Sequence, residues 1–478
     1  MGTTLPDNLA AACHQAEIGL TGHEAYRKAD SMKMIILDGS TDTPTVVRRI
    51  ALTGQTLGAE VEHYVLADIP IAPCLGDFEC WTKTPGLCRT HDAAQDIMQA
   101  IHDASLVVFL TPVVFGGYAS SLKKLVDRMI PLTDSFFHEQ AGVTRHQRRY
   151  ERYPAMLFLG LADQPDSETR SLFAELAGGN AINLQTPWFR SLLLSPQDSK
   201  AQEQIEIAVR AGLTGTDGDA LPALDKKALA RACAPDSMAP QIPAPRTAAI
   251  LIGSARPKGS STSEALARAL ATNLEQAGIT CRFVYAISFI KDGRLAENAL
   301  AELSSADMLI VAAPLYVDGL PSLVGRALEQ LGKYLDPGSS VLRQVVGLLN
   351  CGFPEADHNR SALRILRAFA QANRLVWAGG LAMGAGEIIH GQPLSHVRFV
   401  ARAQIRALRQ AANDLAAGQG ISQEASRDMA RPLLPAQLFR WVAPFKWLLM
   451  GRRHGVGWRQ LHARPLAEAP ACDLGKAG

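Results

Sequence analysis

The chain carries one pattern twice, and that repetition constrains its fold more than any other feature. A short aliphatic run ending in Gly-Ser, "MKMIILDGS" (32–40), leads into a helix-like stretch, and "TAAILIGSARPKGSSTSEAL" (247–266) does the same. Each copy then has a second apolar run, "ASLVVFLTPVVFGG" (104–117) and "ADMLIVAAPLYVDG" (306–319), in which a proline precedes a glycine-containing loop. A helix follows, "ASSLKKLVDRMI" (119–130) and "LPSLVGRALEQL" (320–331), and then a third strand, "AMLFLGLA" (155–162) and "QVVGLLNCG" (344–352). Strands alternating with helices at this spacing predict βαβ units and a parallel sheet. The expected architecture is a tandem α/β duplication, with an N-terminal extension at 1–31, domain 1 at 32–214, a Pro/Ala-rich linker at 215–246, domain 2 at 247–426 and a tail at 427–478.

Composition removes several classes of protein. With 47% hydrophobic and 20% charged residues, 478 residues suffice for two or three cores. A net charge of +2 gives no general case for nucleic acid. Eight scattered cysteines do not make a secreted disulfide scaffold. The first thirty residues lack the apolar core of a signal peptide, and no apolar run reaches the ~18 residues of a membrane span. The expected compartment is the cytoplasm.

In an open parallel sheet, ligands sit beyond the carboxyl ends of the strands. The loop "GSARPKGSSTS" (253–263) opens onto a helix N-terminus, whose free N–H groups and positive dipole favour a phosphate. It adds the cations Arg256 and Lys258 and the hydroxyls of Ser254, Ser261, Thr262 and Ser263. The first copy, "DGSTDTPTVVRRI" (38–50), lacks the cations and carries Asp42 where a phosphate would approach, so phosphate binding is expected in domain 2. The loops "PLYVDGLPS" (314–322) and "NCGFPEADHNR" (350–360) complete a three-loop pocket suited to a flat aromatic ring. No H-E-x-x-H or comparable metal spacing occurs.

These loops, together with "PCLGDFECWTKTPGLC" (73–88) and the residues that follow it to Arg128, resemble the flavodoxin-like NAD(P)H-dependent FMN reductases. That group includes multimeric quinone reductases and iron–sulfur flavoproteins. The resemblance implies that each domain is a doubly wound five-stranded parallel sheet with non-covalently bound FMN. It also implies NAD(P)H as reductant and a quinone, flavin or similar small acceptor. Carried over residue by residue, Ser254, Arg256, Ser261, Thr262 and Ser263 would hold the phosphate. Pro314, Leu315, Tyr316, Val317, Asp318 and Gly319 would line the ring, with Cys351, Gly352 and Phe353 as a third wall. No side chain need act as acid or base, because the cofactor carries the chemistry. An electron carrier that takes no hydride, and a scaffold whose flavin sites have decayed, remain as alternatives. Relatives of this kind assemble through contacts near the flavin, so the two copies are expected to form an intramolecular pseudo-dimer, with further homo-oligomerisation left open.

The cysteine stretch matches three positions of the iron–sulfur flavoprotein cluster motif, but Asp77 stands where the second of four cysteines belongs. A structural or interface loop with reduced cysteines is the favoured reading. The alternatives are a Cys74–Cys80 redox pair, a cluster or a zinc site. In the tail, residues 429–478 hold eight Lys/Arg against two Asp/Glu, and 431–466 interleave them with Trp, Phe and Leu. Such a segment is expected either to pack on the domain pair or to form an amphipathic helix at a membrane surface, the first being favoured.

Overall fold

The repeated aliphatic runs become buried parallel strands. The computed structural model describes residues 32–40, 42–140, 142–220, 225, 227–236, 243–335 and 341–468. The N-terminal extension, Cys13, Cys472 and much of the Pro/Ala-rich linker therefore lie outside the described residues. In the first half the strands are β1 (Lys33–Asp38), β2 (Glu60–Val65), β3 (Leu106–Val114), β4 (Gly117–Tyr118), β5 (Thr133–Gln140), β6 (Val143–Arg148), β7 (Ala155–Leu161) and β8 (Phe189–Leu194). In the second they are β9 (Thr247–Ile252), β10 (Thr280–Tyr285), β11 (Met308–Pro314), β12 (Gln344–Asn350) and β13 (Val376–Met383). The two main sheets run β2-β1-β3-β7-β8 and β10-β9-β11-β12-β13. Both are parallel in the flavodoxin-like order, with the switch point between the first and third strands of each copy. Central strands such as β7 and β12 are buried throughout, which is why they read as continuous apolar runs.

The two copies pack as a pseudo-two-fold pair through matching helices, Ser120–Val126 and Ser322–Tyr334. Each helix's first residue donates its backbone N–H to a carboxylate seven positions along the other copy's pattern. Ser322 N–H donates to Asp127 Oδ2 at 2.7 Å, and Ser120 N–H donates to Glu329 Oε1 at 2.7 Å. A carboxylate at a helix N-terminus satisfies an orphan donor and complements the dipole. Asp127 also pairs with Lys123, whose ammonium donates to Tyr316 O at 2.7 Å. One hydrophobic cluster runs without a break through this interface, from Phe109 and Tyr118 to Leu323, Val324 and Phe369.

One feature was absent from the sequence reading, and the tail takes the first of its two expected courses by packing on the domain pair. β5 and β6 form an antiparallel hairpin that leaves domain 1 and reaches the second domain, where Thr144 Oγ1 donates to Glu355 Oε1 at 2.9 Å. The tail then returns from domain 2 to domain 1 as helix Ala436–Arg453, followed by short turns at Trp458–Leu461 and Pro465–Glu468. The fully buried Arg149 anchors it by donating to Leu461 O at 3.1 Å and Ala463 O at 2.7 Å. Arg440 pairs with Glu139 on the hairpin.

The Pro/Ala-rich linker also contains regular structure. Residues Ala228–Cys233 form a helix whose Leu229, Ala232 and Cys233 are buried with the common core, because an apolar stripe in that stretch can dock. Helix Gln423–Met429 crosses the expected boundary at 426 and packs on β13, with Ser426 Oγ donating to Gly380 O at 3.1 Å. Among the described residues, no helix is long and apolar enough to cross a membrane.

Asp127→Ala would leave the buried Lys123 ammonium and the Ser322 amide without their shared acceptor. It should cost about 3 kcal/mol or more in denaturant unfolding, whereas Glu329→Ala, at a half-buried position, should cost about 1 kcal/mol. Equal, small effects would contradict the asymmetry.

Candidate functional site

The second copy's loops converge beyond the carboxyl ends of β9, β11 and β12 on a cavity of about 250 Å³. In the first loop, Gly253 is required sterically, since a Cβ there would lie 2.5 Å from Val324 Cγ2. Ser261 caps helix Thr262–Gln276 by accepting the Glu264 N–H. The buried Glu264 carboxylate braces the loop from behind, accepting Gly259 N–H at 2.6 Å and the Tyr285 hydroxyl at 2.9 Å. Burial pushes its carboxyl up, but these bonds and Arg268 pull it down further, so it remains an anion.

The second loop is a strained hairpin. Tyr316 and Gly319 exchange backbone hydrogen bonds, and Val317 and Asp318 between them take φ of +42° and +57°. A β-branched residue at positive φ is unfavourable and persists only where its surroundings fix it. Domain 1 supplies that fixing. Asn183 Nδ2 donates to Asp318 Oδ2 at 2.7 Å, and Asn180 Nδ2 donates to Val317 O at 3.0 Å. Neither asparagine carries a sequence motif, so only the assembled interface discloses them. The third loop is tied to the first by Asn350 Nδ2 donating to Ser263 Oγ at 2.8 Å. A fourth loop, missed in the sequence, brings Glu387 and Ile388 into the lining and holds Thr262 Oγ1 against Gly386 O at 2.8 Å.

Of the residues predicted for this pocket, Ser254, Arg256, Ser261, Thr262, Ser263, Pro314, Leu315, Tyr316, Val317, Asp318, Cys351, Gly352 and Phe353 all line the cavity. Gly319 stands outside the lining, against the Lys123 side chain. His358 stacks on Phe353 at 4.3 Å.

The remaining walls come from domain 1 and the tail. The cysteine stretch contributes Cys74, Gly76, Phe78 and Trp81, the hairpin Phe137 and His146, and the tail Phe439, Ala443, Lys446 and Trp447. Gly76 presses on Tyr316 so closely that a Cβ would lie 1.9 Å from the Tyr316 hydroxyl oxygen. Arg256 crosses from the phosphate-type loop to this stretch, donating from Nε and Nη2 to Gly76 O at 2.8 and 2.6 Å. Trp81 stacks on Phe78 at 5.4 Å and meets Trp447 edge-on at 5.5 Å. Burial drives the His146 imidazole down to about 3, so it is neutral at physiological pH. The buried Trp447 Nε1 and His146 Nδ1 have no hydrogen-bond partner among the described residues. An apolar cage with unpartnered polar atoms and a guanidinium against its Phe78 wall fits a flat, polar-edged, phosphorylated ligand such as FMN.

Cys74, Cys80 and Cys88 are free thiols. Burial, with Asp127 adding to it, pushes Cys74 up to about 12, and burial pushes Cys80 well above its ordinary value. Thiols held protonated are poor nucleophiles. Asp77 is engaged elsewhere, accepting Glu79 N–H at 3.1 Å and Arg89 at 3.3 Å.

The corresponding loop of domain 1 is filled by its own side chain. Asp38 ends β1 where Ile252 ends β9, and its Oδ1 accepts both the Ser40 N–H at 2.8 Å and the Ser40 hydroxyl at 2.5 Å. The carboxylate that blocks this loop is therefore Asp38, whereas Asp42, which the sequence pointed to, is exposed.

Fold and cavity define a tandem flavodoxin-like protein whose domain 2 loops line this cavity, while a wider cleft of about 1350 Å³ lies beside the domain 1 loops after β3 and β7. Residues 32–161 match the family described as NADPH-dependent FMN reductase. The chain is 34% identical over 109 residues to an iron–sulfur flavoprotein of Methanocaldococcus jannaschii, covering 22% of this chain and 55% of that protein. It is 30% identical over 100 residues to an iron–sulfur flavoprotein of Archaeoglobus fulgidus, covering 20% and 48%. The chain thus spans about half the length of the curated relatives it matches. Among solved structures, an NAD(P)H:quinone oxidoreductase from Methanothermobacter marburgensis aligns at 16% identity and a TM-score of 0.30, covering 39% of this chain and 98% of that one. An FMN-dependent NADH-azoreductase from Bacillus anthracis in complex with FMN aligns at 14% and 0.29, covering 38% and 100%.

Glu387 is pushed up by burial, but His390, Arg256 and Lys446 hold it down to about 2, against an ordinary 4.5. A depressed carboxyl stabilises the fold fully above its unfolded value, and that contribution is lost as pH falls through the folded one. Wild type should therefore exceed Glu387→Gln in thermal stability at pH 6, the gap closing between pH 4.5 and about 2. A gap that stays constant with pH would contradict the assignment.

Proposed function

We propose that this cavity binds FMN and that the protein is an NAD(P)H-dependent FMN oxidoreductase passing electrons to a small acceptor, a quinone or a free flavin. The observation that carries the reading is the convergence of four domain 2 loops, with Arg256 lying against Phe78 of the aromatic cage, on one cavity beyond the strand ends. The FMN reductase match falls on residues 32–161, in the half read here as the cover, and supports the flavin-dependent class rather than the place of the flavin.

On this reading Arg256 and the N-terminus of helix Thr262–Gln276 supply positive potential for the phosphate. Leu315, its N–H held by Asn350 O at 2.8 Å, and Val317 would lie along the ring, and the Asn180 and Asn183 bonds keep that loop in place. Phe78, Trp81, Phe137 and Trp447 exclude water, and neutral His146 can hydrogen-bond without adding charge. The flavin, when bound, would supply hydride acceptance and electron delivery. Domain 1 serves as the cover of the site, its own phosphate-type loop being closed by Asp38.

Arg256→Ala should weaken FMN binding by about 10- to 100-fold, as expected for one charge-assisted contact. Equilibrium titration followed by flavin fluorescence reads this, and unchanged affinity would remove Arg256 from the site. Anaerobic NADPH or NADH should bleach the flavin absorbance of the loaded protein. Persistence of the oxidised spectrum with both would leave an electron carrier instead.

A further inference from the structure

The tail helix Ala436–Arg453 has two apolar faces, and only one is buried. Its inner face, Phe439, Ala443, Trp447 and Gly451, recurs every four residues and is buried. Its outer face carries Leu438, Trp441, Val442, Phe445 and Leu449, spaced as a helical stripe and 48%, 77%, 49%, 71% and 56% exposed. Contiguous exposed apolar surface of this kind marks an interaction site.

The charge around the stripe selects the occupant. Residues 431–466 contain seven Lys/Arg and no Asp/Glu. Arg440 and Lys446 are paired at the helix's inner side, with Glu139 and Glu387. At the end of the stripe, Arg452, Arg453 and Arg459 are exposed beside the half-exposed Trp458, and no carboxylate among the described residues pairs with any of the three. A second copy seated on this face would bring no carboxylate from 431–466 to these arginines and would leave them without an anionic partner from that segment. Anionic lipid headgroups would neutralise the arginines while Trp and Phe enter the interface, the pattern of a helix lying in the membrane plane.

We propose that the outer face of Ala436–Arg453 docks this protein on an anionic lipid surface. Val442 and Lys446 line the cavity from this same helix, so docking sets the cavity rim at the lipid boundary. Resting on the FMN reading above, this makes the acceptor a lipophilic molecule that reaches the site from the bilayer.

Co-sedimentation of the full chain with vesicles tests the docking without flavin or turnover, so either idea can fail alone. The protein should bind phosphatidylcholine vesicles containing phosphatidylglycerol at low salt, and bind pure phosphatidylcholine vesicles at least about tenfold less. Trp441→Ser with Phe445→Ser, and separately Arg452→Glu with Arg453→Glu, should each weaken binding by at least about tenfold. All four positions are exposed, so unchanged thermal melting would confirm that folding is intact. Wild type remaining in the supernatant, or binding equally in both double variants, would overturn the proposal. A dimer in analytical ultracentrifugation that Trp441→Ser with Phe445→Ser dissolves would also overturn it, assigning the face to a second copy.

Discussion

The reciprocal caps across the pseudo-two-fold axis hold the rest of this structure in place. Asp127 receives the first amide of one interface helix and Glu329 the first amide of the other. Two flavodoxin-like sheets joined through those helices bury one continuous core. The same contact puts helix Ser167–Asn183 of domain 1 against the Tyr316–Gly319 turn, which would otherwise have to hold two non-glycine residues at positive φ unaided. The interface thus shapes the site as well as stabilising the pair.

The two halves share a backbone plan and have diverged in chemistry. In domain 2 the first strand ends in Ile252 and Gly253, leaving the loop open toward Arg256 and a capped helix. In domain 1 it ends in Asp38, whose carboxylate takes the amide and hydroxyl of Ser40. Domain 1 has instead gained the cysteine stretch and the hairpin, both of which lie over the domain 2 cavity. The tail closes the third side and is anchored on domain 1 by Arg149, so all three additions serve one of the two loop sets.

The duplication and the parallel βαβ build of both halves were legible because buried parallel strands read as unbroken aliphatic runs. The residues of the domain 2 loops were legible too, since glycine, proline and hydroxyl residues follow each strand in order. The hairpin was not, although "DSFFHEQAGVTRHQRR" contains a glycine-centred turn between polar strands, because its apolar face is completed only by domain 2 and the tail. The walls from Phe78, Trp81 and Trp447 depend on contacts hundreds of residues apart, which no local period encodes. Asp42 drew attention by its proximity to the loop. Asp38 was passed over because it belongs to a strand, although a carboxylate at a strand end can turn back onto its own loop.

The central claim is that the duplicated chain has one flavin site and one cover. The most direct measurement is the number of FMN molecules bound per chain at saturation, by equilibrium dialysis or calorimetry on the full-length protein. The account predicts one. Two would mean that the domain 1 loop opens despite Asp38, and none would mean that the cavity serves another ligand.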